Sequence, residues 1–163
     1  MELRLGMCKT GTVLDYRPVV FLNEEGGYVK VKSREGKFVT ARVLKSSCIG
    51  VSREVAYLLY PYYGWDRLKI EEVFYIEPTA PPAATRVVLK VPFGIGEVVI
   101  RRQLEGFPIY EGTVAIEYLE HIEYGEVVHV EPENYSILNS DTAIRIIEIP
   151  VQDDAVVFTS RRV

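Results

Sequence analysis

Short runs of β-branched and aromatic residues, separated by glycine and other turn residues, dominate the first half of the chain. Residues 19–22, 28–32 and 37–44 are such runs, and the last of them alternates between polar and apolar positions. Side chains of a strand point alternately to opposite faces, so this period predicts half-buried strands. Gly26-Gly27 and Glu35-Gly36 predict the turns between them. Further strands are predicted at residues 12–14 and 67–71.

The same pattern returns in the second half. Strands are predicted at residues 86–91, 113–118, 127–130, 135–138 and 143–147, with turns at Gly125-Glu126, residues 132–134 and residues 139–141. Turn-forming Gly, Pro, Asn and Asp occupy these connections. The pattern as a whole indicates a mostly antiparallel β protein.

Two short helices are predicted. The first runs from Ser52 to Leu59, because Ser52 is a good N-cap and Glu54 in the first turn suits the helix dipole. Pro61 is expected to end it. The second runs from Glu97 to Leu104 and stops at the Gly106-Phe107-Pro108 segment.

Composition divides the chain in two at a proline- and alanine-rich segment. The expected organisation is a first unit at residues 1–77, a hinge at 78–85, a second unit at 86–150 and a tail at 151–163.

The 163 residues carry a net charge of −4, which argues against non-specific nucleic-acid binding. We find neither an apolar run long enough for a membrane helix nor a signal-peptide pattern, so the cytoplasm is the expected location.

The cysteines and histidines carry candidate chemistry. Cys8 and Cys48 lie at matching places in a weak forty-residue internal repeat, and free buried thiols are favoured over a disulfide, which a hyperthermophilic source would permit. His121 and His129 lie among glutamates and could face each other across a hairpin at Gly125. Surface histidines are the favoured interpretation, so no metal and no cofactor is predicted.

Aromatic residues are concentrated between positions 57 and 65, with a second group around Pro108. Tyrosine and tryptophan are enriched at protein interfaces because an apolar ring carries a polar tip. Sealing the end of the first unit is an equally good explanation for part of the cluster. The candidate partner-binding residues are Tyr62, Tyr63, Trp65, Phe107 and Tyr110.

Five segments resemble the N-terminal domain of valosin-containing-protein-type AAA ATPases, most closely the archaeal VAT-like members. They are KFVTARV (37–43), GWDRLKI (64–70), RVVLKVP (86–92), RRQLEGFPIYEG (101–112) and NSDTAIRI (139–146). The fourth is the most specific, since it is similar to the family's Lys-Arg-Gln-Leu-x-Gly-Arg-Pro-Val-x-x-Gly-Asp segment. Order and spacing are kept.

The resemblance implies a double-psi β-barrel followed by a smaller β-clam, and a non-catalytic module that binds client or adaptor proteins in the groove between them. Residues 1–36 match the family poorly, and the sequence holds no Walker A motif, so ATP hydrolysis is not expected. The alternatives are a small nucleic-acid-associated or regulatory β-barrel, and an enzyme using the barrel as a pocket. No residue constellation supports the enzyme.

Overall fold

The computed structural model describes residues 1–61 and 72–150, and these form a mostly β protein. Strands up to residue 79 close into a barrel, and those from residue 86 onward form a second unit. We call residues 2–79 the barrel and residues 83–149 the C-terminal unit. The strands are β1 (Glu2–Met7), β2 (Val19–Leu22), β3 (Tyr28–Lys32), β4 (Phe38–Lys45), β5 (Gly50–Val51), β6 (Glu72–Thr79), β7 (Arg86–Pro92), β8 (Pro108–Ile109), β9 (Gly112–Tyr118), β10 (His121–Glu131), β11 (Ser136–Ile137) and β12 (Ala143–Ile149).

The barrel runs β1-β5-β2-β4-β3-β6 and closes where β6 pairs with β1. Two of its pairs, β1–β5 and β2–β4, are parallel, and the others are antiparallel. The alternation read from residues 37–44 is confirmed, because Val39, Ala41 and Val43 of β4 point into the core. Strand β1 was not predicted, although Leu3, Leu5 and Met7 alternate with polar or small residues.

The C-terminal unit is a four-stranded sheet in the order β12-β7-β10-β9, with β8 and β11 forming a separate pair. Strands β7 and β12 run parallel, and β10 pairs antiparallel with both β7 and β9. Its core is separate from that of the barrel and includes Val87, Leu89, Ile100, Leu104 and Ile116.

Both predicted helices are confirmed. Helix α1 spans Arg53–Leu59, and the side chain of its N-cap, Ser52, accepts a hydrogen bond from the Val55 amide. Helix α2 spans Glu97–Leu104 and buries Ile100 and Leu104 against the C-terminal sheet. No helix in the described parts of the protein is long and apolar enough to cross a membrane.

The strand predicted at residues 12–14 is wrong, since Val13–Tyr16 form a short 3-10 helix. Local side-chain hydrogen bonds explain the difference. The Thr12 hydroxyl accepts from the Leu14 amide, and the Asp15 carboxylate accepts from the Thr10 and Gly11 amides. Such bonds offer the backbone an alternative to strand pairing.

The turn predicted at Gly125-Glu126 is also wrong, because both residues lie inside the continuous strand β10. A Cβ atom at Gly125 would collide with the carbonyl oxygen of Lys90 on β7. Glycine is therefore required by the close approach of two strands, and not by a turn.

The hinge begins later than predicted from composition. Strand β6 continues to Thr79, and Pro78 lies opposite Val29 of β3 inside the barrel. The connection between the two units is therefore shorter than the proline-rich segment. The predicted strand at 67–71 and the tail at 151–163 lie outside the described residues.

The expectation of free thiols is wrong, because Cys8 and Cys48 form a disulfide. Cys8 follows β1 and Cys48 precedes β5, and these strands pair in parallel with Gly6 opposite Gly50. A Cβ atom at Gly50 would lie 2.5 Å from the Gly6 carbonyl oxygen. Glycine at position 50 thus permits the close strand contact beside the disulfide.

Candidate partner-binding groove

Side chains from both units hold the barrel against the C-terminal unit. The Tyr28 hydroxyl donates to the Gly106 carbonyl oxygen at 2.8 Å. The Thr40 amide donates to the Tyr110 hydroxyl oxygen, also at 2.8 Å. Burial raises the pKa of Tyr110, and the hydrogen bond from Thr40 partly offsets that rise. Both bonds fix the relative position of the units.

Phe107 completes the contact with a buried aromatic ring. Its ring packs against Cys8, Val19 and Phe21 of the barrel and is 8% exposed. The Arg42 guanidinium lies 4.9 Å from the ring centroid, within the range of a cation–π interaction. Phe107 therefore joins the two units.

The predicted partner-binding residues thus divide into two groups. Tyr62, Tyr63 and Trp65 lie outside the described residues. Phe107 is buried and Tyr110 is half-buried, and both take part in the contact between the units. Neither presents the exposed aromatic patch that the sequence indicated.

Beside this contact, an open groove of about 360 Å³ separates the two units. We call it the inter-unit groove. Tyr57 and Tyr124 are 51% and 53% exposed there, one from each unit. Its described lining residues are Tyr16, Arg53, Glu54, Tyr57, Thr113, Ala115 and Tyr124.

Tyr16 connects the two walls of the groove. Its ring packs edge-on against that of Tyr124, with the centroids 6.1 Å apart. The Arg53 guanidinium lies 5.1 Å from the Tyr16 ring and donates a 3.1 Å hydrogen bond to its hydroxyl. The neighbouring Tyr16 side chain is also the main factor that raises the pKa of Tyr124. The groove therefore presents aromatic rings whose hydroxyl groups can form hydrogen bonds.

Ser52 sets the geometry between Arg17 and helix α1, behind the groove residue Glu54. Its hydroxyl donates to the Arg17 carbonyl at 2.6 Å and accepts from the amides of Val19 and Val55, each at 3.2 Å. A serine hydroxyl has one donor and two acceptor positions, so all of them are used. Ser52 thereby fixes Arg17 relative to helix α1, whose first turn carries Glu54.

Arg17 and Glu54 meet at a smaller space of about 30 Å³ next to the groove. We call it the inner cavity. Arg17 is 2% exposed, and burial lowers its pKa to about 10 despite the charge of Glu54. Burial raises the pKa of Glu54 to about 7, although Arg17 and Arg53 both favour its charged form. For both side chains, the effect of desolvation on the pKa outweighs the effect of the opposite charge nearby. This agrees with the geometry, because Arg17 and Glu54 do not form an ion pair within 4 Å.

The two histidines do not come together. His121 and His129 lie eight residues apart on β10, so an extended strand separates them by roughly 25 Å. The imidazole of His129 lies 2.9 Å from the Glu131 carboxylate and 3.5 Å from that of Glu111. Within residues 1–61 and 72–150, no group of three or more His, Cys, Asp or Glu residues is arranged to hold a metal ion.

Sequence reasoning missed Tyr16, Arg17 and Tyr124. Tyr16-Arg17-Pro18 directly precedes the apolar strand β2, which signals an arginine close to the core. Tyr124 lies three residues before the predicted strand at 127–130, and no local pattern places it opposite Tyr16.

No protein-family model and no curated protein matches this sequence.

Proposed function

We propose that this protein is a non-catalytic protein-recruitment module that binds client or adaptor proteins in the inter-unit groove. The observation that carries the proposal is the groove of about 360 Å³, which presents exposed tyrosines from both units. Tyrosine combines a large apolar surface with a hydrogen-bonding tip, and it is enriched where proteins bind each other.

The proposal includes kinship with the N-terminal domains of valosin-containing-protein-type AAA ATPases. In this proposal the barrel is a double-psi β-barrel and the C-terminal unit is a β-clam. Two parallel strand pairs within an otherwise antiparallel barrel support the first assignment. The partner would be a AAA ATPase acting in trans or in the same polypeptide, an adaptor, or an unfolded client, and the location would be the cytoplasm.

Site-specific photo-crosslinking tests the groove directly. A photoreactive phenylalanine replaces Tyr57, Tyr124 or, as a control, Tyr75, which is 47% exposed on the barrel outside the groove. We expect crosslinks from the Tyr57 and Tyr124 positions to an ATPase, an adaptor or unfolded proteins in lysate from the source, and none from Tyr75. Equal capture from all three positions, or no capture, would refute the proposal.

Binding of a permanently unfolded reporter protein provides a second measurement. Tyr57→Ala and Tyr124→Ala each remove a ring from the groove, whereas Tyr75→Ala removes one elsewhere. We expect the first two substitutions to weaken binding by about tenfold, the range of an interface residue worth more than about 1 kcal/mol. The control variant should bind as the unmodified protein does.

A further inference from the structure

Two large apolar side chains lie exposed at one end of the C-terminal unit. Phe93, in the turn after β7, is 61% exposed, and Leu119, in the turn between β9 and β10, is 74% exposed. Both line a shallow open groove of about 220 Å³, together with Ile95 and Tyr118. We call this groove and its lining residues the end surface. Exposed apolar side chains that share one groove are typical of an interaction site.

The turn that carries Leu119 is poorly suited to stability. Tyr118 pairs with His121, so Leu119 and Glu120 form the whole hairpin turn. Both adopt left-handed backbone, with φ angles of 52° and 66°. Glycine, asparagine and aspartate suit such turns, whereas the Cβ atom of a leucine approaches the following carbonyl oxygen too closely. Backbone held in a disfavoured conformation often marks a functional position.

Carboxylates border the end surface. Glu123 lines it, and Glu120 lies in the hairpin turn. The Glu148 carboxylate accepts a 3.4 Å hydrogen bond from the amide of Gly94, the residue after Phe93. None of the described lining residues is Lys or Arg, and in the described part of the chain no cation pairs with these three glutamates. The end surface is therefore complementary to an apolar side chain that has a cation beside it.

The end surface is separate from the inter-unit groove, because no described residue lines both. Ala115 of the groove and Leu119 are four residues apart, a span of roughly 13 Å in extended chain. We propose that the end surface binds a segment of another protein in which a large apolar side chain lies next to lysine or arginine. The apolar side chain packs against Phe93 and Leu119, and the cation faces the glutamates. This inference does not depend on the function proposed for the inter-unit groove.

Three matched peptides test the chemistry of the end surface. The isotope-labelled full chain is titrated with a capped ten-residue peptide built from leucine and lysine pairs. One comparison peptide has glutamate in place of lysine, and the other has serine in place of leucine. We expect saturable shifts of the Gly94, Leu119 and Glu120 amide signals with the leucine–lysine peptide, and at least tenfold weaker binding of the other two. Equal binding of the glutamate peptide, or shifts confined to the inter-unit groove, would overturn the proposal.

Leu119→Asn separates binding from folding. Asparagine tolerates left-handed backbone, so the variant should unfold at a higher urea concentration than the unmodified protein. Its dissociation constant for the leucine–lysine peptide should nevertheless be at least tenfold larger. Tyr75→Asn, the same replacement at an exposed ring outside the end surface, should leave the affinity unchanged. Undiminished affinity of Leu119→Asn would refute the proposal.

Residues 155–162 of this chain, Ala-Val-Val-Phe-Thr-Ser-Arg-Arg, have the same chemistry as the proposed partner. Phe158→Ser in the full chain distinguishes the two sources. We expect the Gly94 and Leu119 signals of this variant to match those of the unmodified protein before peptide is added, and its peptide affinity to be the same. Shifted signals or tighter peptide binding would show that the chain's own segment occupies the end surface, and the proposal of a separate partner would fail.

Discussion

Replacing Glu54 with glutamine should change how the stability of this protein depends on pH. Glu54 lies in the first turn of α1, and burial raises the pKa of its carboxyl group from 4.5 to about 7. The attractions of Arg17 and Arg53 are already included in that balance, and burial still outweighs them. Ionised Glu54 is therefore less stable in the folded protein than in the unfolded protein.

The direction in which the free energy of unfolding changes with pH follows from proton binding. Between pH 4.5 and about 7 the folded protein keeps a proton on Glu54 that the unfolded protein has released. The free energy of unfolding therefore falls as pH rises through this window. Each tenfold change in proton affinity corresponds to about 1.4 kcal/mol, so the loss is at most about 3 kcal/mol. Glu54 retains some contact with solvent, which reduces that figure toward about 1 kcal/mol.

Urea unfolding at pH 4.5, 6 and 8 measures this contribution as the difference between the unmodified protein and Glu54→Gln. Other carboxyl groups titrate in both proteins and cancel in the difference. We expect similar stability at pH 4.5 and a variant more stable by about 1–3 kcal/mol at pH 8. Glu24→Gln, at an exposed position before β3, should show no such trend. A variant less stable than the unmodified protein at pH 8 would show that an Arg17–Glu54 ion pair dominates, contrary to our reasoning.

Three further predictions concern the barrel and the C-terminal sheet. Reduction of the Cys8–Cys48 disulfide, which closes a loop of 40 residues, should lower the free energy of unfolding by about 4 kcal/mol; an unfolding midpoint unaffected by reductant would contradict this. Ser52→Ala should cost about 2–3 kcal/mol in urea unfolding, because it removes a helix cap and leaves buried backbone groups unpaired, whereas Ser47→Ala at an exposed position should cost almost nothing. Gly125→Ala should cost at least about 1–3 kcal/mol because its Cβ collides with backbone of the adjacent strand, and a smaller loss would mean that the two strands can separate.

Much of the fold could be predicted because the pattern of buried and exposed side chains is visible within each segment. In β4, Val39, Ala41 and Val43 alternate with less buried positions, apart from Thr40. This alternation shows both that the segment is a strand and which of its faces lies against the core. Helix α1 was identified from its cap and first turn, which are local signals of the same kind. Where the physical cause lies within a few residues, the sequence is sufficient.

The candidate site could not be predicted to the same degree, because its geometry depends on distant segments. Tyr16 and Tyr124 become neighbours only when the barrel contacts the C-terminal unit. Phe107 has the sequence character of an exposed turn residue, yet barrel residues from distant segments cover it. The unpaired edge of Arg17 is likewise a property of three-dimensional burial, and no spacing in the sequence reports it.

The disulfide bears on the proposed location. Protein disulfides are rare in the cytosol of mesophiles but occur in intracellular proteins of hyperthermophiles. Cys8–Cys48 is therefore compatible with a cytoplasmic recruitment module if the source grows at high temperature. A mesophilic source would instead favour an oxidising compartment, and the cytoplasmic proposal would then fail before the binding proposal is tested.

Ser52 and Arg17 differ in what their burial does for stability. Replacing a buried charge with an apolar side chain is often neutral or stabilising, so the burial of Arg17 at 2% exposure is not itself a source of stability. Ser52 uses its full hydrogen-bonding capacity to hold the backbone of Arg17, while the guanidinium itself stays largely unpaired.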